Sequence, residues 1–266
     1  MIDVQNRKDS REIPLQKVGV KNIRYPITVL DKVNKSQTTT ATVNLYANLP
    51  KDFKGTHMSR FVEVFHDHST NVKMDNFIHM LHEIRTRLQA QKSFGEITFP
   101  YFVEKKAPVS GRLSQMEYLC TYQGSAMDHA HEFFVGIEAP VLTLCPCSKE
   151  ISARGAHNQR SKVRVMVEMQ KGGFFWIEDI IDIIESSASS GLYTLLKRDD
   201  ERFVTEHSYD HPVFVEDLVR EVTVKIQSLN QFPWFSVEAE NMESIHNHDA
   251  YAYVERGQRT AIPDPY

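Results

Sequence analysis

The chain is short of cysteine. Three occur in 266 residues, an odd number that argues against a disulfide framework. The start, Met1-Ile2-Asp3-Val4-Gln5-Asn6, has neither a basic segment nor an apolar core, so a signal peptide is not expected. No apolar run approaches the roughly 20 residues that span a bilayer, which excludes a membrane-spanning helix. An excess of positive charge is also missing. Thirty-one Lys and Arg stand against 35 Asp and Glu, a net charge of −4, which argues against a general binder of nucleic acid or membrane surfaces. With 41% hydrophobic and 25% charged residues, the expectation is a soluble, cytoplasmic, globular protein. At about 100–200 residues per domain, it is one large domain or two modest ones.

What is present is histidine, 12 of them, and an unusual pair of thiols. Cys145-Pro146-Cys147 follows a long apolar segment and precedes a polar loop. A bridge across one residue would be strained, and proline stiffens it further. Thiols at a strand end are metal ligands or nucleophiles about as often as structural groups, and this pair lacks the CxxC spacing of a zinc knuckle. Cys120 lies in an alternating apolar stretch and reads as a buried core thiol.

Periodicity orders the rest of the chain. Residues 1–24 are polar without a period and read as an arm. Residues 27–31 and 38–49 alternate and read as strands, with Ala41, Val43, Leu45 and Ala47 on one face. A loop follows at Lys54-Gly55-Thr56-His57-Met58-Ser59-Arg60. Asp75 is placed to cap a helix reaching about Gln91, with Phe77, Met80, Leu81, Ile84 and Leu88 on its apolar face. Residues 97–103 and 116–123 read as strands. In the second half, 132–144 and 163–169 are strands and 176–186 is a helix. A further helix opens near Pro212, and 234–240 and 250–256 are strands. Both halves repeat strand, strand, helical segment, strand, strand at a period of roughly 125–135 residues. The expected division is an arm at 1–24, units at 25–128 and 129–257, and a tail at 258–266.

Four groups carry possible chemistry. Cys145 and His157 combine thiolate and imidazole, the ligands zinc favours. The acidic stretch Asp199-Asp200-Glu201, with Glu206, offers a carboxylate to complete a three-ligand site with one open position. His246 and His248, preceded by Glu238, Glu240 and Glu243, share a face if their backbone is extended. Glu216, near the start of a helix, suits the N–H edge of a purine or pterin. The bland readings are separate surface loops for the first and third groups, a solvated helix face for His79 and His82, and loops for His66/His68 and His129/His131.

The segments Gly55-Thr56-His57-Met58-Ser59-Arg60, Cys145-Pro146-Cys147-Ser148-Lys149, Gly155-Ala156-His157-Asn158-Gln159-Arg160-Ser161, Phe214-Val215-Glu216-Asp217-Leu218-Val219-Arg220 and Glu243-Ser244-Ile245-His246-Asn247-His248 together resemble the prokaryotic type IB GTP cyclohydrolase family. The resemblance covers nearly the whole chain, from Asp3 to about Tyr253. It implies an α+β tunnelling fold built of tandem units. Each unit is strand-strand-helix-helix-strand-strand with an antiparallel sheet, and the units assemble into a multi-subunit barrel. It implies homotetramers that open the imidazole ring of GTP to give formate and 7,8-dihydroneopterin triphosphate, the first step of tetrahydrofolate synthesis. It also implies a divalent metal, zinc, manganese or iron. By motif, Cys145 and His157 look like metal ligands, with Glu201 favoured over Glu206 as the third. Glu216 looks like the guanine anchor, and His246 and His248 like the proton-transfer pair, with Cys147 assisting. His57, Ser59, Arg60 and Arg160 are the substrate contacts, with Lys149 and Lys162 as further phosphate candidates. The competing readings are a nitrile reductase-like enzyme of the same fold, using a cysteine nucleophile and NADPH, and a non-catalytic oligomer with a structural zinc site.

Overall fold

Alternation along the chain sets the frame of the computed structural model, which describes residues 9–170 and 172–260. Strand β1 (Leu15–Asp31) pairs antiparallel with β2 (Lys35–Leu49), and β2 pairs with β3 (Ser93–Lys106). Val43 thereby lies between Ile23 and Ile97. Ala41, Val43, Leu45 and Ala47 are all buried, as their shared face requires. Helices α1 (Met58–His68) and α2 (Met74–Arg87) connect β2 to β3. Each helix buries one stripe: Phe61, Val64 and Phe65 from α1, and Phe77, Met80, Leu81 and Ile84 from α2. A Cβ on Gly95 of β3 would sit 3.0 Å from both Leu81 and Phe77, so the absence of a side chain lets α2 pack close to the sheet. Strand β4 (Leu113–Ala126) and β5 (His131–Leu144) follow.

The described residues divide into two compact units. The first holds 9–100, 121–135 and 259–260, with strand order β1-β2-β3-β4-β5. The second holds Tyr101–Cys120 and Gly136–Gln258. It adds α3 (Pro146–Ile151), β6 (Asn158–Glu168), α4 (Ile177–Glu185), β7 (Ser190–Gly191), α5 (Arg198–Asp210), α6 (Val215–Ser228), β8 (Trp234–Asn241) and β9 (Ala250–Gly257). Its strand order is β3-β4-β5-β6-β8-β9, with β7 on β5. Four isoleucines of α4 and the stripe Val215, Leu218, Val219, Val222 and Ile226 of α6 fill its core. Each such side chain contributes about 1.5–3 kcal/mol by leaving water.

Several expectations change. Residues 15–24 are not part of an irregular arm but the first half of β1. Register shifts between Leu15 and Val18 and between Val20 and Ile23 break the alternation there. His66 and His68 lie on α1, not in a loop. Helix α2 begins after Lys73, and Asp75 sits in its first turn rather than at its cap. The helix expected at Pro212 begins at Val215. Helices α3 and α5 were not anticipated. Cys120 is fully buried, and burial pushes its thiol up. No helix among the described residues is long and apolar enough to cross a membrane. Residues 1–8 and 261–266, the ends of the expected arm and tail, lie outside the described residues.

Candidate metal and substrate site

Cys145 ends β5 and serves as N-cap to α3, with proline at the first helical position. Its thiol accepts from the Ser148 N–H at 3.5 Å. The loop that leaves α3 returns to the same place. The Cys145 N–H donates to the His157 carbonyl at 3.0 Å. Gly155 makes the return possible, since its φ of +150° is a conformation that side-chain-bearing residues rarely adopt. Ser148 ties both ends: its hydroxyl donates to the Cys145 carbonyl at 3.1 Å and accepts from the His157 N–H at 3.1 Å.

A buried polar chain orients the His157 ring. The Ser161 hydroxyl donates to Asn241 Oδ1 at 2.5 Å, so its oxygen accepts from the Thr143 hydroxyl at 2.8 Å. The Thr143 oxygen in turn accepts from Gln159 Nε2 at 2.9 Å. This turns Gln159 Oε1 toward His157 Nδ1, 3.0 Å away. An amide oxygen only accepts, so Nδ1 carries the hydrogen and Nε2 keeps its lone pair. That is the tautomer of a metal ligand whose other nitrogen donates to a carbonyl. Beside the ring stands Glu243, with Oε2 3.9 Å from Nδ1. This oxygen is buried without a hydrogen-bond partner.

The acidic stretch behaves differently. Asp200 is fully buried at the start of α5 and accepts from the Val109, Ser110 and Lys197 N–H groups and the Ser110 hydroxyl, at 2.6–2.8 Å. Burial opposes its ionisation, but these donors outweigh burial and hold the carboxyl well below its ordinary range. Glu201 is exposed on α5, and Glu206 is exposed and paired with Arg202 at 3.0 Å. Neither Cys145, His157 and Glu201 nor Cys145, His157 and Glu243 bring all three donor atoms within 4.8 Å of one another in the single chain. The donor chemistry nevertheless fits a divalent ion: a thiol and an imidazole in the ligand tautomer.

Glu216 lies in the first turn of α6 and lines a groove of about 390 Å³ between α6 and β9. Arg220, Arg256 and Tyr253 line the same groove. His246 and His248 are exposed in the β8–β9 loop, not on extended backbone, yet their rings stack at 5.2 Å. Cys147 is exposed on α3, and Arg160 and Lys162 are exposed on β6. Lys149 is committed elsewhere: its ammonium lies 4.3 Å from the Tyr209 ring centre and donates to the Tyr209 carbonyl. In the first unit, His57 is the N-cap of α1 and Ser59 is exposed in its first turn. Arg60 donates to the Arg87 carbonyl at 2.9 Å. Sequence reasoning did not single out Gln159, Ser161 or the burial of Glu243. One signal was present: Gln159 and Ser161 occupy the inward positions of β6, in phase with Val163 and Val165.

The fold and the site define an α+β tunnelling-fold protein with a thiol and an imidazole held at the two ends of one loop. Its chain trace resembles a uricase from Arthrobacter globiformis at a TM-score of 0.55 and 8% identity, over 93% of this chain and 95% of that one. A uricase from Bacillus fastidious matches at 0.55 and 7%, over 91% and 92%. At such identities the likeness is one of fold alone. Sequence is more specific. The chain belongs to the family described as type I GTP cyclohydrolase folE2, whose model matches residues 1–252. A protein named GTP cyclohydrolase FolE2 from Syntrophus aciditrophicus is 54% identical over 96% of this chain and 100% of its own length. Proteins of the same name from Magnetococcus marinus and Syntrophotalea carbinolica are 51% and 52% identical, over 97% and 100% of this chain and 97% and 98% of their own.

Proposed function

We propose that this chain is a cytoplasmic GTP cyclohydrolase. It opens the guanine imidazole ring of GTP with water, giving 7,8-dihydroneopterin triphosphate and formate, within folate biosynthesis. One observation carries the reading: relatives named for this activity match the chain nearly end to end at above 50% identity.

Glu216 accepts two hydrogen bonds from the guanine N–H edge and so fixes C8 relative to the attacking water. Cys145 and His157 would hold a divalent ion, zinc, manganese or iron, with a carboxylate as third ligand. Glu201 is the third ligand that the motif implies, and it is exposed in the single chain; Glu243 stands on the Nδ1–H side of His157, whereas the lone pair is at Nε2. Bound there, the ion supplies Lewis acidity to the water. His246 and His248, stacked and exposed, pass protons to the departing nitrogens, as imidazoles do near neutral pH. Cys147 assists from α3. His57, Ser59, Arg60 and Arg160 bind the triphosphate, in part across subunits. The repeat of 25–128 and 129–257 and a homotetrameric assembly belong to the same proposal. Among the described residues, strands β1 and β9 each have a single partner in their sheet, which leaves an edge for a second copy.

The test incubates the purified protein with GTP and a panel of divalent metals. Pterin fluorescence is followed after oxidation and dephosphorylation, together with formate release. Metal-dependent appearance of both is the expected result, and absence of both sinks the reading. Glu216→Ala abolishes turnover while keeping the metal. Glu201→Gln loses metal and Glu243→Gln keeps it; the reverse result assigns the third ligand to Glu243.

A further inference from the structure

Outside that site, three donor side chains converge on the helices of the first unit. His68 ends α1, and His79 and Glu83 stand one turn apart on α2. One ligand atom from each lies within 4.8 Å of the other two. His68 and Glu83 are half-buried and His79 is exposed.

Hydrogen bonding decides which His68 nitrogen faces the cluster with a lone pair. Asn76 Nδ2 donates to the Asn71 carbonyl at 2.7 Å and to the His68 carbonyl at 3.3 Å. Its Oδ1 is therefore turned to His68 Nδ1, 2.9 Å away, and Nδ1 carries the hydrogen. In the neutral ring Nε2 then presents a lone pair to Glu83 Oε2, also 2.9 Å away. Two lone pairs at that distance repel unless a proton or a cation lies between them. Arg87 holds the other Glu83 oxygen at 2.6 Å, which leaves Oε2 for the occupant. A histidine whose remote N–H donates to a carbonyl, beside a carboxylate held by a second partner, is the outer-shell arrangement of metal sites.

We propose that His68, His79 and Glu83 bind a divalent transition cation of the zinc type, at a site distinct from that of Cys145 and His157. Two imidazoles and one carboxylate suit such an ion, with water in the fourth position. Tetrahedral donors on arms of about 2.1 Å stand roughly 3.4 Å apart, so rotation of the exposed His79 closes the remaining gap. The ion would cross-link the last turn of α1 to α2 and stabilise the first unit by mass action. No thiolate takes part.

The probe is Co²⁺ alone, titrated into the chelator-treated full-length chain and read by visible absorption and by equilibrium dialysis. Wild type binds one more Co²⁺ per chain than His79→Ala, and the difference spectrum lacks a sulfur-to-cobalt charge-transfer band. Glu83→Gln weakens the same component roughly tenfold or more. Zn²⁺ raises Tm in wild type and in Cys145→Ser, and by less in His79→Ala. Because His79 is exposed, its variant keeps the fold, which circular dichroism checks. Equal Co²⁺ stoichiometry and affinity in wild type, His79→Ala and Glu83→Gln would overturn the proposal and leave a proton between His68 and Glu83. That comparison is independent of whether pterin forms.

Discussion

At the scale of single residues, the Gln159–Thr143–Ser161–Asn241 chain has one direction of donation, which starts at the His157 ring N–H and ends on Asn241 Oδ1. Replacing Gln159 with leucine removes the acceptor for Nδ1–H while keeping the volume close. The expected result is a roughly 10–100-fold loss of affinity for the metal at Cys145 and His157, measured by chelator competition. An unchanged affinity removes Gln159 from any orienting role. Asp200 makes a second residue-scale prediction. Its carboxyl is held below the ordinary range in the folded chain, so its contribution is complete above the unfolded value of about 3.9 and is lost as pH falls through the folded value. Asp200→Asn should therefore lower Tm by several degrees at pH 7 and flatten the fall of Tm below about pH 4. Thermal melts across that range decide it; parallel curves for wild type and variant refute it. Both residues show where sequence reading stops. Cys145 and His157 stand out by residue type at short spacing, and the fold ties their backbones together. Asp200 is an ordinary carboxylate until the fold buries it, and its partner Ser110 lies some 90 positions away.

At the scale of elements, what was legible was the apolar stripe. Helices α2, α4 and α6 each bury one, and each was expected within a few residues of its bounds. Helix α5 buries only Asp200 and Ser208, so no apolar period marks it. Helix α3 has six residues, fewer than two turns. Helix α1 does carry Phe61, Val64 and Phe65 at helical spacing, but Val62 and Val64 are poor helix formers and the stripe is short. Strand ends were missed where bulges interrupt the alternation of β1. Packing between elements brings its own prediction. Lys105 on β3 donates to both Glu185 oxygens at 2.6–2.7 Å and to the Leu192 carbonyl, and the Tyr118 hydroxyl donates to Glu185 as well. Lys105→Ala strands the Glu185 charge and should cost about 3 kcal/mol in urea unfolding. Adding Glu185→Leu to Lys105→Met should recover most of that loss. If the single and double variants are equally destabilised, the pair is not what holds α4 in place.

At the scale of the whole molecule, the order of elements and the extent of the compact units follow different rules. The first half runs β1, β2, α1, α2, β3, β4. The second runs through β5, β6, α4, α6, β8 and β9, with α3, β7 and α5 interleaved. A boundary read from sequence assumes that each core is built from one continuous stretch. Here β3, β4 and β5 are each 14 residues long and contribute one part to each compact unit. The division therefore cuts across strands rather than falling at a linker. Assembly is tested at this scale. Sedimentation equilibrium should return four times the 30.7 kDa of one chain, and a monomer at micromolar concentration would refute the tetramer.

The Ser148 hydroxyl, shared between the Cys145 carbonyl and the His157 N–H, has a kinetic meaning. A ligand pair that meets only part of the time binds with an affinity diluted by the fraction of chains in the competent state. Hydrogen bonds that hold the two ends of the 145–157 loop together before any ion arrives remove that dilution. On the metal role proposed for this pair, capture would be governed by encounter and release by the strength of the metal bonds, and the loop would be a latch already set rather than one the ion must close.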